Sequence, residues 1–107
     1  MSDLDFTISS IVTFFCKKMI NQPNLNNGKY NPHIVVKGRE EHLKINFIDG
    51  GDVIFNQAIR ANALPVNKET DYSILQEGTN FLIMEGSTIV GEGIVKEIFQ
   101  HKPHGKK

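Results

Sequence analysis

Residues Asn80–Phe99 read NFLIMEGSTIVGEGIVKEIF, and this stretch decides the fold. Two runs of large apolar residues flank a turn at Glu85–Thr88, which predicts a β-hairpin. Gly91 and Gly93 lie inside the second run, where glycine weakens a strand unless the chain bends or another group approaches closely. Because both glycines would lie on one face, we expect this strand to form part of the tightly curved wall of a small barrel.

Upstream segments also have the composition or the alternation of strands. They are residues 5–16, His33–Lys37, Leu43–Phe47 and Val53–Leu64. An amphipathic helix is an alternative for the first of them, although its threonine, isoleucine, valine and phenylalanine side chains favour a strand. A helix over Ile54–Leu64 is also open on local grounds, because alanine is not a strand-favouring residue.

Two irregular connections separate these segments. Residues 21–28 are rich in asparagine, with proline and glycine, and predict a loop. Residues 65–78 have little regular patterning, and we expect their apolar side chains to cover an open edge or end of the barrel. These side chains are Tyr72, Ile74 and Leu75.

The composition is that of one small domain without a dominant charge. The 107 residues have room for a single barrel over residues 1–100, followed by a flexible basic tail at 101–107. Twelve Lys and Arg residues balance twelve Asp and Glu residues, so no basic patch dominates the body of the chain. The single cysteine, Cys16, favours a reducing compartment, and we expect an inert buried thiol there. No apolar run approaches the length of about 20 residues that spans a bilayer, so we expect a cytoplasmic domain without a membrane contact.

No motif in the sequence predicts catalysis, a nucleotide or a cofactor. The glycines around the last turn superficially resemble a phosphate-binding loop, but Glu92 and Gly93 stand where such a loop needs a lysine and a hydroxyl residue. His101 and His104 have a spacing compatible with a metal, yet no cysteine or carboxylate lies nearby to complete a site. We therefore expect no metal, no cofactor and no enzymatic activity.

Two blocks of the sequence carry a resemblance to a known family. The first is the hairpin pattern Phe81-x-Ile83-x-Glu85-Gly86-x3-Val90-Gly91-x-Gly93-x-Val95. The second, Gly28–Val36, reads GKYNPHIVV. In order and spacing they resemble the third, C-terminal domain of the elongation factor Tu family, whose Gly-Tyr-x-Pro segment the second block matches with one extra residue. The likeness implies a closed six-stranded antiparallel Greek-key barrel that binds aminoacyl-tRNA and partner proteins beside a GTPase domain, and it favours a strand over a helix for residues 54–64.

The resemblance also implies where an RNA would dock. In the family, the residue after the proline and the Glu-Gly of the last turn lie near the tRNA backbone, and these positions are His33, Glu85 and Gly86 here. Backbone amides at a glycine turn can donate to phosphate, which gives the match a physical basis. The other expected contributors are Lys29, Tyr30, Lys37 and the basic tail.

The leading hypothesis is a non-enzymatic binding module that docks tRNA, another structured RNA or a translation-related protein. The alternative is a pure protein–protein interaction domain, which would use an uncovered sheet edge or an apolar patch near Phe55, Leu64 or Tyr72. A third hypothesis, a small-ligand carrier or hydrolase with a pocket at the barrel mouth, is less favoured because so few strands enclose little space.

Overall fold

The computed structural model describes residues 6–16, 22–67 and 70–100. Within these ranges the chain forms six β-strands and no α-helix. The strands are β1 (Phe6–Phe14), β2 (His33–Val36), β3 (Leu43–Gly50), β4 (Ala58–Pro65), β5 (Asn80–Glu85) and β6 (Thr88–Gln100). No helix in these ranges is long and apolar enough to cross a membrane. The expected basic tail at 101–107 lies outside the described residues.

The strands close into an antiparallel barrel in the order β1-β4-β3-β2-β5-β6. Strands β2, β3 and β4 are consecutive neighbours, and β1 lies beside β4, which is a Greek-key arrangement. The predicted closed six-stranded antiparallel barrel is therefore confirmed. Closure leaves no unpaired sheet edge among these strands, so a partner cannot add a strand to them.

Strict alternation along β1 places its apolar side chains in the core. Its buried and partly exposed residues alternate over all nine positions, with Phe6, Ile8, Val12 and Phe14 inside. This is the period of a strand, and the helical alternative for this segment is excluded. The one buried polar side chain of β1, Ser10, donates its hydroxyl to the carbonyl oxygen of Ala61 at 3.3 Å.

The predicted strand over Val53–Leu64 begins later than expected. Asn56 adopts a positive φ of 67°, and the amide of Gln57 donates to the carbonyl of Ile54 at 3.1 Å, which closes a turn. Asparagine tolerates this left-handed conformation better than most residues, so the extended chain can only resume after it. Strand β4 accordingly begins at Ala58, and the helix considered for this region is absent.

Cys16 is exposed, which corrects the expected buried thiol. Strand β1 ends at Phe14, so the alternation that would have turned the thiol inward stops two residues before it. Its Sγ accepts a hydrogen bond from the side-chain amide of Asn56 at 3.3 Å.

Gly91 and Gly93 face the barrel interior, where neighbouring groups approach them closely as expected. A Cβ added to Gly91 would lie 2.5 Å from the carbonyl oxygen of Thr13, and one added to Gly93 would lie 2.5 Å from the Cζ of Phe81. In the register, these glycines are opposite Phe14 and Val12 of β1. The missing side chains leave room for phenylalanine rings, so the narrow interior is filled by the protein itself.

The two ends of the barrel are covered by different connections. At one end, Tyr72 and Leu75 are buried and Ile74 packs partly against the core, as predicted for the connection after β4. The other end carries the β5–β6 turn and is called the hairpin end below. There the asparagine-rich loop buries Leu25, and the side-chain amide of Asn26 exchanges hydrogen bonds of 3.1 and 3.2 Å with the backbone of Gly50.

Candidate functional site

Two distant segments meet on the outside of the hairpin end. Strand β2 pairs with β5 in antiparallel register, with His33 opposite Met84. The chain just before β2 therefore lies beside the turn that follows β5. On the other side, the amide of Phe47 on β3 donates to the carbonyl of Tyr30 at 3.0 Å. This bond extends the β2–β3 pairing to the residues before β2 and holds them against the barrel.

Tyr30 is anchored in the core and reaches the site through its hydroxyl. Its ring stacks on Phe47 with centroids 5.8 Å apart and meets the ring of Phe14 edge-on at 6.0 Å. The hydroxyl donates to Oε2 of Glu85 at 2.7 Å, across 55 positions of sequence. Burial, followed by the hydrogen bond and the negative charge of Glu85, raises the pKa of Tyr30 far above its usual value. Tyr30 therefore remains a neutral hydrogen-bond donor.

His33 is held by the turn of the hairpin. Its Nε2 lies 3.1 Å from the carbonyl oxygen of Gly86. Because a carbonyl can only accept, this contact requires the proton on Nε2 and leaves Nδ1 for other partners. The His33 ring also meets the His42 ring edge-on, with centroids 4.6 Å apart. Burial lowers the pKa of His33, and the positive charges of His42 and Lys44 lower it further, against the opposing effect of the bond to Gly86.

A surface cavity of about 280 Å³ lies between these groups. Its polar lining includes five of the residues expected from the sequence, together with Lys44, and these six are Lys29, Tyr30, His33, Lys44, Glu85 and Gly86. The turn leaves the cavity open, because a Cβ added to Gly86 would meet nothing within 4 Å. Gly86 has a positive φ of 61°, a conformation that favours glycine. The lining thus combines two lysines and a histidine with one carboxylate that already accepts a hydrogen bond from Tyr30.

Lys44 was missed by the sequence reasoning, although it lies directly opposite His33 in the β2–β3 register. Its neighbours Leu43 and Ile45 are buried, and this alternation indicated that Lys44 would point outward. The alternation could not show that the strand opposite it would be β2. His42, two residues before Lys44, shares the outer face for the same reason.

Lys37 does not join this cavity. It follows the opposite end of β2, where its amide donates to the carbonyl of Asn80 at 3.1 Å. Its Nζ lies 3.5 Å from the Glu92 carboxylate, in an ion pair whose side chains are about half exposed. An RNA contact by Lys37 would therefore require a ligand that extends along the barrel from the hairpin end.

Among the described residues, no group of three or more His, Cys, Asp or Glu side chains could hold a metal ion. His101 and His104 lie outside those residues. In comparisons with known proteins, no protein-family model and no curated protein matches the chain.

Proposed function

We propose that the chain is a non-enzymatic binding module, similar to the third domain of elongation factor Tu, that docks tRNA or another structured RNA at the hairpin end. The observation that carries this proposal is the meeting of the Lys29–His33 segment with the Glu85–Gly86 turn around one open cavity. Of these residues, His33, Glu85 and Gly86 are the positions at which the resemblance implies contact with an RNA backbone.

The charges of the cavity suit a phosphate group. Lys29 and Lys44 supply two positive charges to the lining against the one negative charge of the Glu85 carboxylate, which accepts the hydroxyl of Tyr30. Contacts of lysines, hydroxyls and backbone amides with phosphate position a protein on nucleic acid without reading its sequence.

The electrostatic term of such binding is testable through its salt dependence. Bulk tRNA labelled at its 3′ end would be titrated with the protein, and the affinity measured by fluorescence anisotropy between about 50 and about 200 mM salt. We expect the affinity to fall as salt rises, because each phosphate contact by a lysine releases bound counterions. The Lys29→Gln/Lys44→Gln variant should bind more weakly, with the slope of log affinity against log salt reduced by about 1 for each lysine.

A matched control variant is available on the other half of the barrel. Arg60→Gln/Lys96→Gln removes the same charge from β4 and β6, which lie beside β1 and away from β2. This control should retain the wild-type affinity and slope. Equal binding by the two double variants, or tRNA binding that does not change with salt, would contradict the proposed interface.

A second candidate function is supported by a different surface. A cavity of about 510 Å³ lies on the outer face of β1, β4 and β6, and it is lined in part by Arg60, Lys96 and the half-exposed ring of Phe99. An apolar ring in a lining with two cations and one carboxylate, that of Glu97, suits a protein partner that offers apolar and acidic side chains. The patch suggested near Phe55, Leu64 and Tyr72 is less suitable, because Tyr72 is buried. A Phe99→Ser variant that loses a protein partner while it retains tRNA would favour this second function.

A further inference from the structure

A pair of histidines and a lysine occupy adjoining positions on the outer face of β2 and β3. In the register His33 is opposite Lys44, and the ring of His42 lies 4.6 Å from that of His33 between centroids. Three side chains that are positive or can become positive are thus adjacent. Like charges on paired strands destabilise each other unless a negative group lies between them.

Among the other groups that face His33, one carries a negative charge. From the β5–β6 turn, the carbonyl of Gly86 engages Nε2 but carries no net charge. Glu85 lines the cavity from β5, and its negatively charged carboxylate accepts the Tyr30 hydroxyl. Lys29 adds a further positive charge to the same lining. The two lysines therefore exceed the one carboxylate in charge, and a bound anion would complete the charge balance of this surface.

We propose that the hairpin-end cavity is a proton-coupled phosphate site, in which His33 takes up a proton when a phosphate group of the ligand binds beside Lys44. This inference rests on the proposed function, because the phosphate is assigned to the RNA backbone. His33 can accept its second proton on Nδ1 while Nε2 continues to donate to Gly86, so that the charge changes without loss of the hydrogen bond that orients the ring.

The direction of the pH dependence follows from the free protein. Burial, together with the charges of His42 and Lys44, holds the pKa of His33 below its usual value, so this ring is neutral in the unliganded protein at neutral pH. A phosphate placed beside it would raise that pKa, since an opposite charge favours the protonated form. The protonated protein then binds phosphate more tightly, and the affinity rises as the pH falls from the raised pKa of His33 in the complex toward its lower pKa in the free protein.

The first test measures tRNA affinity against pH at constant salt, with EDTA present so that no metal ion can bridge the histidines. We expect a gain of about threefold to tenfold between about pH 7.5 and about pH 6.0, since one fully linked proton changes affinity tenfold per pH unit. A His33→Gln/His42→Gln variant should lose this pH dependence, because glutamine retains a donor for Gly86 but cannot gain a charge. The Arg60→Gln/Lys96→Gln variant should retain it.

The second test separates this inference from the proposed function. The ring resonances of both histidines would be titrated by NMR with and without inorganic phosphate, a probe that does not require RNA. A rise in the pKa of His33 with phosphate supports the site, and an unchanged pKa overturns it. If tRNA binds with an affinity independent of pH, proton coupling is wrong while RNA docking stands. If tRNA does not bind at any pH but phosphate shifts the pKa of His33, the phosphate site stands and the RNA assignment fails.

Discussion

Replacement of Gly91 by alanine should destabilise the barrel, because the added Cβ would lie 2.5 Å from the carbonyl oxygen of Thr13 and 3.3 Å from the Cα of Phe14. Both neighbours are backbone atoms of β1, which pairs with β6 at this position and cannot move away without a loss of hydrogen bonds. Overpacking of a core costs about 1–3 kcal/mol, and a clash with backbone belongs at the upper end of that range. The lower backbone entropy of unfolded alanine offsets about 0.5–1 kcal/mol. We expect a net loss of about 2 kcal/mol in the free energy of unfolding.

This loss should be measured by urea and thermal unfolding, followed by far-ultraviolet circular dichroism. For a domain near this size, about 2 kcal/mol lowers Tm by about 8–16 °C. Gly51→Ala is the matched control, because its added Cβ would meet the Cβ of Ile59 at 3.5 Å, an ordinary contact, and its φ is not positive. The control should unfold within about 0.5 kcal/mol of the wild type. Equal unfolding midpoints for the two variants would refute the close approach of β1 to Gly91.

Three further predictions concern other positions of the barrel. Gly93→Ala should lower the free energy of unfolding by about 1–3 kcal/mol, because the new Cβ would meet the ring of Phe81. The loss should be smaller in a Phe81→Leu background, where that ring atom is absent, and additive effects in the double-mutant cycle would argue against the contact. Tyr72→Phe should lower the free energy of unfolding by about 1–3 kcal/mol, since the hydroxyl of this buried residue donates to the carbonyl of Lys44 at 2.6 Å. An unchanged urea midpoint would show that this hydrogen bond does not stabilise the fold. The Asn56→Ala variant should be about 1–2 kcal/mol less stable than the Asn56→Gly variant, because alanine disfavours a φ of 67° and glycine does not. Equal free energies of unfolding for the two variants would mean that the turn has another conformation.

Much of the barrel could be predicted because its signals are local. Apolar alternation along β1 and β3 indicates strands that are buried on one side, and this depends only on the two-residue period of extended chain. The two glycines of β6 indicated a close approach, because a strand rarely omits side chains without a steric reason. The turn at Asn56 was not recognised, since asparagine is compatible with several conformations and its positive φ depends on the surrounding contacts.

The candidate site could be predicted only in part. The resemblance placed His33, Glu85 and Gly86 among the expected contacts, and the fold brings them to one cavity. Lys37 was a further expected contributor, and the fold places it at the opposite end of β2, near Glu92. Strand β2 has four residues, which is long enough to place His33 and Lys37 at opposite ends although they are close in sequence.

By itself, the sequence indicated most of the extended segments, the side of β1 and β3 that faces the core, and the positions of β6 where glycine is needed. Only the tertiary structure decided that β2 lies between β3 and β5, and hence that Lys44 and Glu85 flank the same cavity. The physical reason is that side-chain periodicity determines the face of a strand but not its neighbour. Neighbours are chosen by closure of the whole barrel, through pairings between residues that are far apart in the chain.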